Sequence, residues 1–161
     1  MKAVDDDGGK LSGISGEFND EPSWLTVAKG ELGVAEKPGA AIEKRVVEYH
    51  LSTTLGATDD AVPWCASFVC WCLEQAGYKS TKSARAISYG GFGKKLDEPK
   101  PGAIIVTKRK GGHHVGFFVG KTQFGVKLLG GNQSDMVCVK EFPDSMVIAV
   151  RYPDPLKDGD K

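Results

Sequence analysis

The 161-residue sequence has little that would mark it for a polyanion or a membrane. Its 21 lysines and arginines are matched by 21 aspartates and glutamates, so no net charge draws it to nucleic acid or an acidic surface. The one basic run, Lys108-Arg109-Lys110, reads as a solvated loop tip. No apolar stretch approaches the roughly 20 residues needed to cross a bilayer. The opening MKAVDDDGGKLSGISGEFND places three aspartates where a signal peptide would have its hydrophobic region, so no such leader is expected. Cysteine is scarce and unevenly placed: Cys65, Cys70 and Cys72 crowd one apolar segment and Cys138 stands apart. That spacing is not a disulfide framework, and Cys70 and Cys72 would diverge on a helix. A cytosol-made protein with reduced thiols is expected. With no Cys-x-x-Cys pair and only three histidines, no metal site is expected. Gly90-Gly91-Phe92-Gly93 lacks the Lys-Ser/Thr ending of a phosphate-binding loop. No metal or cofactor is called for.

What is present fits one domain. Residues 1–21 are poor in apolar side chains and read as a flexible tail, as do residues 154–161, leaving 22–153 as the folded unit. Trp24, Leu25, Ala28 and Leu32 fall at helical spacing after Pro22, with Gly33 as the stop. A second helix is expected over about 40–51, with Ile42, Val46, Tyr49 and His50 on one stripe, His50 as a half-buried packing residue. A third starts near Pro63 and runs through Phe68, Val69, Cys72, Leu73 and Ala76 to Gly77. Beyond the turn Glu98-Pro99-Lys100-Pro101-Gly102 the pattern changes to five short strands: 103–107, 113–120, 125–129, 136–142 and 146–152. Helices first and antiparallel strands after predict an α+β domain.

Three segments could carry chemistry. Cys65 falls in the first turn of the third helix, where the helix dipole and a nearby imidazolium would lower a thiol pKa; the alternative is a small buried hydrophobe. Trp64 beside it could wall a cleft. Cys70 and Cys72 read as packing residues. In Gly112-His113-His114-Val115-Gly116, the two histidines must face opposite sides of a strand, and alternation does not choose between them. In Gly130-Gly131-Asn132-Gln133-Ser134-Asp135, a neutral amide could orient a histidine, or the segment could be a polar hairpin turn.

Taken together, Val62-Pro63-Trp64-Cys65-Ala66-Ser67-Phe68-Val69, Gly112-His113-His114-Val115-Gly116-Phe117-Phe118-Val119-Gly120 and Leu129-Gly130-Gly131-Asn132-Gln133 resemble the papain-like CHAP (cysteine, histidine-dependent amidohydrolase/peptidase) family and its NlpC-type relatives. The likeness runs from about Trp24 to Pro153. It implies a papain-like fold with the nucleophile helix packed on an antiparallel sheet. It also implies a catalytic set of Cys65, His114 and Asn132, because the histidine directly before Val-Gly is the one that matches. Trp64, His113 and Gln133, flanking those positions, are expected to bind substrate. Many relatives carry Glu where this chain has Gly130, so the acidic orienter is missing and Asn132 is taken in its place; Gly102-Ala103 stands where relatives commonly have Gly-Asp. The implied activity is hydrolysis of a peptidoglycan amide bond by a monomer. It would act in the periplasm or cell wall, as a phage lysin released through a holin or as an effector with a secretion machine and a cognate immunity protein. A protein deamidase or acyltransferase on the same fold, or a non-catalytic binding module, are the other readings.

Overall fold

The computed structural model describes residues 21–35, 44–54 and 63–154. Three helices precede a sheet: α1 (Ser23–Lys29), α2 (Lys44–Leu51) and α3 (Cys65–Gln75). Six strands follow, β1 (Lys94–Lys95), β2 (Ile104–Arg109), β3 (Gly112–Lys121), β4 (Gly125–Gln133), β5 (Met136–Pro143) and β6 (Val147–Tyr152), in the order β1-β6-β2-β3-β4-β5 with every pairing antiparallel. This is the α+β arrangement expected. The five strands foreseen are present with ends shifted by a few residues. The two-residue β1 was not foreseen, because Lys94-Lys95 has no alternating pattern and forms only by pairing with β6. The tails and the first residues of the second helix lie outside the described residues.

Helix α3 carries the packing. Cys65 through Leu73 are all buried, so this helix is apolar all round rather than striped, as a helix covered on both sides must be. One side meets α1 and α2, the other β3 and β4. Tyr49 of α2 stacks on Trp64 with ring centroids 5.8 Å apart and meets Phe68 and Trp71 at 5.1 and 5.2 Å. Its hydroxyl donates to Glu31 at 2.7 Å, and Glu31 also pairs with Arg45 at 2.9 Å. His50 is wholly buried, deeper than expected, with Nδ1 2.8 Å from the Ser67 hydroxyl. Helix α1 is shorter than its apolar spacing suggested. It ends at Lys29, and Leu32 lies in the following turn, 48% exposed. Its anchor is Trp24, whose indole donates to the Gly102 carbonyl at 2.8 Å and meets Tyr78 and Tyr152 edge-on.

The sheet approaches α3 most closely at Gly131. A Cβ there would lie 2.8 Å from Phe68 Cβ and from two carbons of the Trp64 indole. Only glycine lets β4 run this near the helix start. Gly131→Val should therefore lower the free energy of unfolding by about 1–3 kcal/mol, the usual cost of overpacking. Gly91→Ala, at an exposed position with nothing within 4 Å of the new carbon, should shift it by under about 0.5 kcal/mol. Urea titration of the two variants measures the difference; equal midpoints would mean that β4 does not press on α3 at this point.

Candidate active site

Cys65 is the first residue of α3, and Trp64 before it places no side-chain cap on the helix. The first-turn N–H groups are thus left facing outward, and those of Cys65 and Ala66 act on the thiol sulfur. A third backbone donor comes from the sheet. The Phe118 N–H donates to the carbonyl of Ala103, just before β2, so by alternation the odd-numbered residues of β3 direct their backbone groups toward β4. The β3–β4 ladder runs only from Phe117↔Leu129 to Lys121↔Val126. Val115 lies beyond its end, and its N–H lowers the pKa of the Cys65 thiol. Burial nevertheless dominates. The residue is 5% exposed, and desolvation raises the thiol pKa above its ordinary value against the lowering pull of the Val115 N–H, the Arg109 charge and the helix-end N–H groups. The helix-end lowering expected for Cys65 is present but outweighed.

His114 of β3 is 6% exposed. Its Nε2 lies 2.8 Å from Gln133 Oε1, and its ring stacks on Phe142 with centroids 5.3 Å apart. The orientation of the Gln133 amide is settled by its other end. Nε2 of Gln133 donates to the Leu128 carbonyl at 3.1 Å and to the Cys138 carbonyl at 2.7 Å. Both amide protons are spent, so the face toward the imidazole is the acceptor oxygen. The imidazole must donate, which puts the proton on Nε2 and leaves Nδ1 with the free lone pair. Burial lowers the His114 pKa; the bond to Gln133 pushes up, and the charges of Arg109 and Lys140 push down. The site at rest is therefore a neutral thiol and a neutral imidazole whose basic atom is Nδ1.

The residues expected at the site divide accordingly. The helix end and the open end of the β3–β4 ladder bring Cys65 to the peptide joining His114 and Val115. Asn132 does not orient the histidine. It sits in the irregularity between Gly130 and Gln133 with φ +59°, a left-handed conformation that asparagine tolerates, and makes no side-chain hydrogen bond among the described residues. Gln133, expected to bind substrate, is 2% exposed and holds His114 instead. Trp64, expected to wall the cleft, is wholly buried under Tyr49 and over Gly131. His113 is half-buried and faces the opposite side of β3, across from Lys108. Cys70 packs inside, with its sulfur 3.0 Å from the Tyr89 hydroxyl, and Cys72 is buried too.

The signal for Gln133 lay in Gly130. A Cβ at 130 would stand 2.5 Å from Gln133 Oε1 and 3.4 Å from His114 Nε2. The Gln133 side chain thus returns across the strand into the space that a side chain at 130 would occupy. The turn after it is Ser134-Asp135, with φ of +55° and +62°. These two left-handed residues between Gln133 and Met136 are what a two-residue hairpin loop demands.

The family model for the CHAP domain matches residues 57–132, a span that includes Cys65, His114 and the β4 bulge but stops one residue before Gln133. A search of the curated proteins finds no match to the chain.

Nitrogen NMR of His114 should show the Nε2-protonated neutral tautomer, titrating below the ordinary histidine value of about 6.5. Gln133→Glu should move that midpoint upward, because a carboxylate facing Nε2–H favours the imidazolium. Asn132→Ala should leave it in place; a midpoint that follows Asn132 and ignores Gln133 would contradict the hydrogen bonding described.

Proposed function

We propose, from the premise that residues 57–132 are a CHAP domain, that this cysteine, histidine-dependent amidohydrolase cleaves an amide bond of the peptidoglycan stem peptide. Cys65 is the nucleophile and His114 its proton acceptor and donor. The observation that supports this most strongly is the Gln133 amide. With both its protons donated to carbonyls, it fixes Nε2–H on His114 and leaves Nδ1 as the basic atom of the ring.

In the first half-reaction Nδ1 takes the thiol proton as the sulfur attacks the amide carbonyl, so that proton transfer and S–C bond formation go together. The carbonyl oxygen gains charge where the Cys65 backbone N–H lies at the positive end of α3. His114, now protonated, gives its proton to the leaving amine as the C–N bond breaks. In the second half-reaction Nδ1 takes a proton from water, the hydroxide releases the acyl group as an acid, and the proton returns to the sulfur. Gln133 acts through His114 only: it holds the ring and its tautomer through both halves. The site of action on this reading is the periplasm or cell wall, reached by a lysin through a holin or by an injected effector whose producer carries an immunity protein.

The test is digestion of purified sacculi under reducing conditions with mass analysis of the fragments. Cys65→Ala and His114→Ala should each lose at least about 10³-fold in rate, Gln133→Ala about 10²-fold, and Asn132→Ala under about threefold. Intact sacculi with the wild-type chain would remove the proposal.

The pH profile follows from the lowered His114 pKa. The base must be unprotonated, so a histidine harder to protonate keeps the enzyme working further into acid. The acid limb of kcat/KM should have its midpoint below about 6.5, and Gln133→Glu should shift it to higher pH. A wild-type limb above that value would show that His114 is not the neutral base described.

A further inference from the structure

His114 shares its side of the sheet with two cations that come from different strands. In the β2–β3 ladder Thr107 lies opposite His114 and Arg109 opposite Gly112. Alternation puts Arg109 on the face of His114, one diagonal step away. From the other side, β5 sets Cys138 opposite Gly130, Lys140 opposite Leu128 and Phe142 opposite Val126. Phe142 is the ring stacked on the imidazole, and Lys140, two residues before it, shares its face. Both cations are exposed. Among the described residues neither forms a salt bridge, although Lys29, Arg45, Lys82 and Lys121 all do. Both charges are felt at His114, and that of Arg109 also at Cys65.

Two cations without a salt bridge, bracketing a histidine that must become an imidazolium during turnover, are a cost with no return among the described residues. A ligand anion supplies the return. We propose that Arg109 and Lys140 form a subsite for a carboxylate of the substrate, carried on the residue that adjoins the scissile amide. The peptide nature of that substrate rests on the hydrolase reading above, whereas the anion preference of the site does not. Arg109 offers a planar fork suited to a carboxylate and Lys140 a compact charge on a long stem. They stand on the face of His114, on strands to either side of β3.

Two measurements separate the inference from the reading it builds on. The first is alkylation of Cys65 by anionic iodoacetate and neutral iodoacetamide at pH about 8, where an unshifted or lowered histidine is uncharged, followed by mass analysis of the Cys65 peptide. The ratio of the two rates should fall about tenfold in the double variant Arg109→Gln/Lys140→Gln, and should fall in the wild type as salt is raised. The second uses a pair of stem peptides that differ only in a free carboxylate or a carboxamide beside the scissile bond. Wild-type kcat/KM should favour the carboxylate by about 10- to 100-fold, as charge-assisted hydrogen bonds do. Arg109→Gln should narrow that ratio. Equal cleavage of the two peptides by the wild type overturns the subsite and leaves the hydrolase standing. If neither peptide is cut, a responsive alkylation ratio keeps the anion subsite while the hydrolase reading falls, and an unresponsive ratio overturns the subsite as well.

Discussion

The carboxamide of Gln133 is the constraint on which the site depends. A buried primary amide has two protons and an oxygen to satisfy, and each left unpaired costs about 1–3 kcal/mol. Here the protons go to the Leu128 and Cys138 carbonyls and the oxygen to His114. Because the two donor bonds lie within the β4–β5 hairpin, the acceptor bond is not free to choose its tautomer: the hairpin dictates it to the histidine. The same demand explains the backbone nearby. For Gln133 to swing back over Gly130, the strand must break register there and Asn132 must take a positive φ. That local strain of about 1 kcal/mol is smaller than what three satisfied amide bonds preserve.

Gln133 is useful only if the thiol arrives at the same place, and that depends on two absences of side chain. Gly131 has none, so the start of α3 settles against β4 with Trp64 and Phe68 at van der Waals range. Just beyond, the β3–β4 ladder ends, and the Val115 N–H past its end acts on the Cys65 thiol. Cys65 is thus placed by a helix start docked on a bulged strand, with the end of the β3–β4 ladder beside it. A side chain at 131 would press on the start of α3; one at 130 would displace the amide that holds His114.

Much of this was legible in the residues before the structure. The apolar run from Phe68 to Ala76, capped by Gly77, marks α3. Val, Ile and Phe between turn residues mark five of the six strands. Cys65 stands at a helix start by its distance from Pro63. What was not legible follows from the limits of local pattern. Leu32 keeps helical spacing with Trp24 and Leu25, but the chain leaves the helix at Lys29 and the side chain ends in a turn, since spacing does not say where packing stops. Trp64 precedes the candidate nucleophile Cys65 and suggests a cleft wall, yet Tyr49 from another helix covers it. Asn132 has the right chemistry to orient a histidine, and it is one residue from the side chain that does so. In a regular strand a shift of one residue reverses the face; at a bulge it reverses the assignment, and only the positions of Gly130 and the Leu128 and Cys138 carbonyls decide it.

On the proposed mechanism, the neutral amide has a consequence for how charge moves during catalysis. A carboxylate in place of this amide would hold the ring and also favour the imidazolium. Gln133 holds the ring and supplies no charge. Arg109 adds to this asymmetry: it pulls the thiol toward ionisation and pushes the imidazole away from protonation. A resting thiolate–imidazolium pair is helped in one half and opposed in the other, while burial opposes both. The neutral pair wins, and the proton crosses only when the sulfur has a carbonyl to attack. With a substrate carboxylate seated on Arg109 and Lys140, the two charges that oppose the imidazolium are neutralised at the moment it must form. On the proposed reading, substrate binding then does part of what a carboxylate orienter would do. Selectivity for an anionic substrate and activation of the histidine become one event, because the same two cations govern both.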